Sequence, residues 1–425
     1  MECREWERGG RVPAVKVFAR LLGVLFLLLT AVPGLAAPPP PLPAPAPGRL
    51  TVYFLDVGQG DAALIVSPTG KTVLIDGGPP EAGTRLAARL RELVKQPLDL
   101  VILTHPHLDH LGGLPAALKA VGAKRFMDPG FDHPSEAYRD LLDFVGREVG
   151  QVMTPEPNPS SPQTLLTVGL GEGVALTVLW PRMPQEPFLS STRSDANANS
   201  IVAKLTYAKT AFLFTGDAEP PTEELLIQKP LDLTATVLKV AHHGGKHSST
   251  AAFLTRVAPQ AAVISCGAGN DYGHPSPEVL GRLEDVRART FRTDQDGEVM
   301  AVSDGATVTL RSSRGGAPTT TLSGAQQAGR PVALGPIQPT PERRPGRAVK
   351  PEPEGSRKKP KAPPSAPAPA STPEDTGQNF VSLKGSKVFH REACSTLKRS
   401  KNERTVYSRR ADALRERRPA EDCHP

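Results

Sequence analysis

The chain has 425 residues, of which 38% are apolar, with 51 lysines and arginines against 44 aspartates and glutamates (net +7) and four cysteines. That is enough for one large domain with appendages, and a single strongly apolar stretch, Leu21–Leu29, excludes a many-spanned channel. Charge is spread unevenly: from Arg314 onward 22 basic residues face 11 acidic ones, net +11, which leaves about −4 for the preceding 313 residues. A mildly acidic body thus carries a strongly basic tail, a composition that goes with disorder or with attraction to polyanions.

Taken in chain order, Lys16 and Arg20 precede the apolar run, and the small residues Gly34–Ala37 follow it. This is the pattern of a signal peptide over residues 1–37, or of an N-terminal membrane anchor if it is not cleaved. It predicts a secreted, periplasmic or extracellular protein. No cysteine follows the apolar run to carry a bacterial-type lipid anchor. Residues 38–48 form a proline-rich spacer that should stay extended.

Residues 49–313 read as a layered α/β domain. Leu50–Leu55, Ala62–Val66 and Lys71–Ile75 are predicted strands, the third ending at Asp76-Gly-Gly, and Arg85–Val94 has helical periodicity. Asp99–Leu103 is a short buried strand, and Gly112-Gly-Leu-Pro115 turns into a helix. Pro155–Pro162 should be a surface loop. Phe212–Phe214 is a strand delivering Asp217 at a glycine turn, and Val237–Val240 one delivering His242 and His243. Cys266 ends an apolar run and suits the core better than the role of nucleophile. Residues 314–378 lack aromatic side chains and are rich in Pro, Ala, Lys and Arg, the composition of a disordered linker. A hydrophobic pattern returns at Phe380, so 379–425 should be a small basic module.

The most informative segment lies between the Asp99 strand and the next helix: His105-Pro-His107-Leu-Asp109-His110. In H-x-H-x-D-H, His105 and His107 project to one side of an extended or tightly turning backbone. Asp109 and His110 reach a neighbouring position, so one loop at a strand end can feed two adjacent metal ions.

These features resemble the metallo-β-lactamase superfamily, whose signature is this run followed by a strand-end aspartate and a strand-end histidine. More narrowly, the stretches Phe54–Ala62, Asn197-Ala-Asn199-Ser200, His242-His-Gly-Gly-Lys246, Tyr272-Gly-His-Pro-Ser276 and Arg292–Gly297 resemble the hydrolase domain of ComEC-type DNA-uptake proteins. The resemblance implies a four-layer αββα sandwich with two divalent ions, Zn²⁺ or Mn²⁺, between the sheets, and no nucleotide cofactor. It places His105 and His107 on one ion, Asp109, His110 and His242 on the other, and Asp217 between them. Asp76 and Asp56 would orient ligands. Asp109, His243, Lys246 and His274 would act on substrate, Lys246 suiting an anionic group such as a phosphodiester; His247 is a weaker candidate for the same face. One departure stands out: the superfamily's third histidine for the first ion is missing from Asp195–Ser200. An oxygen from Asp195 or Asn199 in its place would favour Mn²⁺. His133 is the only histidine between His110 and Asp217 and reads as an incidental surface residue.

The C-terminal segment is similar to small Ada-type metal-binding modules, but Ala420 stands where one cysteine of their closing pair would be. His390, Cys394, Cys423 and His424 remain as zinc ligands, or Cys394 and Cys423 pair as a disulfide. The implied activity is phosphodiester hydrolysis of DNA by a metal-bound hydroxide without a covalent intermediate. Hydrolysis of a lactone, thioester or β-lactam is the enzymatic alternative. A non-catalytic, metal-containing binder of DNA or another polyanion is the alternative from a different class.

Overall fold

The computed structural model describes residues 41–157, 160–183, 185–314, 319–324, 380–383, 388–391, 404–407 and 418–419. Strands β1 (Leu50–Phe54), β2 (Ala63–Val66) and β3 (Thr72–Ile75) form an antiparallel meander. Helix α1 (Gly83–Leu93) leads to β4 (Leu100–Ile102), which lies parallel to β3. The short α2 (Leu108–Leu111) and α3 (Leu114–Val121) then precede β5 (Arg125–Met127), and α4 (Glu136–Glu148) precedes β6 (Gln151–Met153), both strands again parallel.

A second sheet opens with β7 (Thr167–Gly169), β8 (Val174–Trp180), the one-turn helix α5 (Asp195–Ala198), β9 (Val202–Tyr207) and β10 (Thr210–Phe214), all antiparallel. Through α6 (Pro220–Gln228), α7 (Ala251–Val257) and α8 (Pro277–Asp285) it continues as parallel β11 (Val237–Lys239), β12 (Ala261–Ile264) and β13 (Arg289–Arg292). After α9 (Thr293–Asp296) the chain rejoins the first sheet as β14 (Val299–Ser303), β15 (Thr307–Ser312) and β16 (Thr320–Ser323). The sheet orders are β16-β15-β14-β1-β2-β3-β4-β5-β6 and β13-β12-β11-β10-β9-β8-β7.

Strand alternation explains the layering. Leu50, Val52 and Phe54 of β1 face the second sheet and pack in one core with Leu205, Phe212, Phe214 and Val263, whereas Tyr53 and Leu64 face the helices. Leu86, Leu90 and Leu93 of α1, spaced four and three residues apart, cover that outer face together with Leu114 of α3 and Leu141 of α4. Phe253 and Leu254 of α7 and Val279 and Leu283 of α8 cover the other sheet against Leu238 and Ile264. Helix starts follow the sequence: Ser135, Thr250 and Ser276 each accept a backbone N–H at an N-cap. The result is the expected αββα sandwich. Cys266 is buried in its core and unpaired.

The domain continues past residue 313, where its end was expected. Thr320–Ser323 pairs in register with β15, Thr307 opposite Ser323, because a run of β-branched threonines suits an edge strand. Of the C-terminal segment, β17 (Phe380–Leu383), β18 (Val388–Arg391), β19 (Arg404–Tyr407) and β20 (Arg418–Pro419) form a sheet ordered β19-β17-β18-β20. The side chain of His390, and Cys394, Cys423 and His424 altogether, lie outside the described residues, as do the expected signal segment and most of the linker.

Register also fixes which edge carries the site. Asp76, Thr104, Asp217, His242 and Ser265 all follow the C-terminal ends of parallel strands and meet at one edge. Leu50 pairs with Ser303 and Thr307 with Ser323, so the first residue of β1 and the last of β16 lie at the opposite edge.

Candidate metal centre

Asp217 is the hub. It follows β10 through Gly216, whose φ of +49° and close approach to the side chains of Ser200 and Thr104 leave no room for a Cβ. Its backbone N–H donates to Ser200 Oγ (3.1 Å), and its carboxylate is buried. Asp217 Oδ1 lies 3.2 Å from His110 Nε2, while Oδ2 lies 3.7 Å from Nε2 of each of His105, His242 and His243.

The motif loop supplies one side. His105 Nδ1 sits 3.1 Å from Thr104 Oγ1, which turns Nε2 toward the centre and to 3.0 Å from His107 Nδ1. Burial and the neighbouring His110 push the pKa of His105 well down, and burial lowers that of His107, so both keep lone pairs for a cation. His110 behaves oppositely. Burial disfavours its charge, yet the Asp217 and Asp76 carboxylates outweigh that and raise its pKa well above the usual range. Asp76, in a left-handed conformation (φ 59°), lies 2.8 Å from His110 Nδ1 and accepts from Thr104 N and Oγ1, both at 2.7 Å. It therefore fixes the orientation of the His110 ring. Asp56 does not: it pairs with Arg314 and accepts from Gly58 N (3.3 Å).

His242 and His243 follow β11 with φ of 53° each, two successive left-handed residues. Such backbone costs about 1–2 kcal/mol per residue and persists where the surroundings over-determine it. Here His242 N donates to Gly216 O (3.1 Å), and Gly245 N donates to His242 O (2.7 Å). The turn sends the second imidazole inward. His243 Nδ1 donates to Ser265 O (3.0 Å) with Asp61 Oδ1 at 3.1 Å, and its Nε2 faces Asp109 Oδ2 at 3.2 Å. Burial works against its charge, but Asp217 and Asp61 prevail and push its pKa up to about 10. His242, by contrast, is 18% exposed and does not reach Asp109. The sequence put His242 on the ion and His243 toward substrate; in the structure both reach Asp217, and His243 also faces Asp109.

The donor set fits a divalent cation. His110 Nε2, His243 Nε2 and Asp217 Oδ1 are all buried without a hydrogen-bond partner, a costly state unless something binds them. Together with Asp61 they present donor atoms that all lie within 4.8 Å of one another. His105 and His107 converge on the same carboxylate from the other side. Asp109, which lines the pocket, has its pKa depressed well below the carboxylate range: burial opposes this, but the facing His243 imidazole and the His110 charge win.

Gln59, His107, Asp109, Asn197, Asp217, His242, His243, Tyr272 and His274 line the pocket above these atoms. His274 belongs there, as expected; burial, then His243 and His242, lowers its pKa to about 3, so it is neutral. Lys246 does not line the pocket. Its exposed ammonium pairs with Glu278 at 2.8 Å, and His247 is exposed beside it. Neither expected oxygen faces the centre either: Asp195 accepts from Ser191 N and Thr192 N, and the Asn199 amide is spent on Leu189 and Asp195. His133, expected on the surface, is half-buried, its ring 5.8 Å from that of His107.

Three residues had no assigned role in the sequence. Asp61 braces His243, and Lys239 Nζ, buried in β11, holds Asp61 at 2.7 Å. Asn197 lines the pocket. Asp61 lies in the Gly-Gln-Gly-Asp turn and Asn197 in the Asn-Ala-Asn-Ser run, both within noted motifs; Lys239 carried no signal.

This sandwich, with its strand-end histidines and aspartates, is that of a metal-dependent hydrolase, and residues 55–185 match the family model of the metallo-β-lactamase superfamily. That match makes this a metallo-β-lactamase-superfamily domain. Within that superfamily the domain is of the ComEC type. It is 30% identical over 266 residues to ComE operon protein 3 of Bacillus subtilis, covering 58% of this chain and 32% of that protein. It is also 31% identical over 249 residues to Recombination protein 2 of Haemophilus influenzae, covering 58% of this chain and 28% of that one. The chain thus spans about a third of the length of these relatives. Among solved structures, the metallo-β-lactamase fold protein YhfI of Bacillus subtilis aligns with 57% of this chain and 96% of its own, at 12% identity and a TM-score of 0.37.

Proposed function

We propose that the chain is an exported phosphodiesterase that cleaves DNA at a two-ion centre. The observation carrying this reading is the convergence of His105, His110, His242 and His243 on the buried carboxylate of Asp217, with His107 beside His105, Asp109 beside His243, and several donor atoms left without partners. His105 and His107 would hold one ion and His110, Asp109 and His243 the other, with Asp217 shared. Two divalent ions held so would acidify a water between them and offset charge on a phosphodiester. His242 and His274, at the pocket opening, would contact the substrate. DNA is favoured because Recombination protein 2 is named for recombination, because Competence protein ComA of Neisseria gonorrhoeae, 29% identical over 244 residues, is named for competence, and because the segment after residue 313 carries net +11. Export rests on residues 1–37; among the described residues no helix is long and apolar enough to cross a membrane.

The test uses the purified full chain with Mn²⁺ or Zn²⁺ on single-stranded DNA, a lactone and a chromogenic β-lactam. Metal-dependent DNA cleavage that Asp109→Ala reduces to background, with the fold intact by circular dichroism, is the expected result. Cleavage retained in that variant, or turnover of only the lactone or β-lactam, would overturn the reading.

A further inference from the structure

We infer that Asn197 supplies, through Oδ1, the protein oxygen on the His105/His107 side of the centre, and thereby sets that side's preference among divalent ions. The inference rests on the two-ion reading above and adds a ligand to it. Asn197 is only 1% exposed, lines the same pocket as His107 and Asp217, and its Oδ1 is buried with no hydrogen-bond partner. An unpaired buried amide oxygen is a cost that calls for an occupant.

The orientation of that oxygen is fixed from behind. Asn197 Nδ2 makes a long hydrogen bond, 3.5 Å, to Glu219 Oε1, itself buried and held by Arg193 at 3.2 Å. A carboxylate only accepts, so the amide must turn its NH₂ to Glu219 and its oxygen to the pocket. The backbone is pinned as well. Ser194 Oγ accepts from Asn197 N, and Ala198 O accepts from both Trp180 Nε1 (3.0 Å) and Thr222 Oγ1 (2.6 Å). Among the three oxygen-bearing side chains Asp195, Asn197 and Asn199, only that of Asn197 lines the pocket and keeps its oxygen unspent.

A neutral amide oxygen is a harder, weaker ligand than imidazole. It suits Mn²⁺ or Mg²⁺ better than Zn²⁺, and leaves this side the more weakly held of the two. The competing donor is His133, whose ring packs edge-on against His107; but its Nδ1 accepts from Ser135 N (3.3 Å) and the ring does not line the pocket.

Metal titrations of the full-length chain test this, with Mn²⁺ and Zn²⁺ counted by elemental analysis and paired Mn²⁺ detected by electron paramagnetic resonance. Two Mn²⁺ are expected in the unaltered chain. In Asn197→Ala the weaker Mn²⁺ should lose at least about tenfold in affinity and the coupled-pair signal should vanish, while the tighter ion stays. Asn197→His should raise the Zn²⁺ over Mn²⁺ preference of the weaker position by about tenfold or more. His133→Ala should change neither. Two ions bound with unaltered affinity in both Asn197 variants, or the loss appearing in His133→Ala instead, would overturn the inference alone. An unaltered chain binding fewer than two ions would bring down the two-ion reading and this inference with it.

Discussion

On the His110/His243 side of the centre each imidazole has a second residue behind it. Asp76 and Thr104 hold His110, and Ser265 and Asp61 hold His243, with Lys239 steadying Asp61 in turn. On the other side Thr104 steadies His105, whose Nε2 in turn lies 3.0 Å from His107 Nδ1. The first side therefore gathers charge, its imidazoles pulled toward the protonated form by three buried carboxylates, whereas the second keeps neutral imidazoles. On the two-ion reading proposed above, one position would be built for tight retention and the other for easier exchange.

The largest effect should come from removing the brace. Lys239→Met keeps the volume of the side chain but frees Asp61, and the tighter ion should then bind about 10–100-fold more weakly, as losing an outer partner of a ligand does. Isothermal titration with Mn²⁺ would show it; unchanged affinity would erase the distinction between the sides. Lys246 belongs to neither side. Because its exposed ammonium pairs with Glu278, Lys246→Ala should alter DNA turnover within about twofold, and a tenfold loss would restore it as a substrate contact.

The smallest effect concerns Asp304, at the edge remote from the pocket. Backbone N–H groups of Thr307 and Ala306 lower its pKa to about 2. A depressed carboxyl adds stability that is present above its ordinary pKa and lost as pH falls through the folded value. Asp304→Asn should therefore flatten the stability profile of the domain between about pH 4 and pH 2 and leave metal binding on both sides untouched. Thermal melts across that window, with metal titrations at neutral pH, check both halves.

The motif loop was legible because its ligands are neighbours in sequence, and Asp217 because a glycine turn after an apolar strand marks a strand end. The helix layers followed from the spacing of residues such as Leu86, Leu90 and Leu93. Which of His242 and His243 turns inward was not legible, since two consecutive left-handed residues decide it. Asp61 and Lys239 come from different sheets, so only tertiary approach makes them a pair. Asn197 and Asn199 are two residues apart, on a one-turn helix and at its C-cap; the Asn199 amide is spent on its own loop, while Asn197 lines the pocket. Thr320–Ser323 looked like linker because an edge strand needs little apolar content.

The register that sets Leu50 and Ser323 at the edge away from Asp217 has a practical corollary. The last strand of the sandwich, β16, ends there at Ser323. A copy grafted to a bead through an extension of that strand would present its opening outward, free to meet a long polymer arriving from solution.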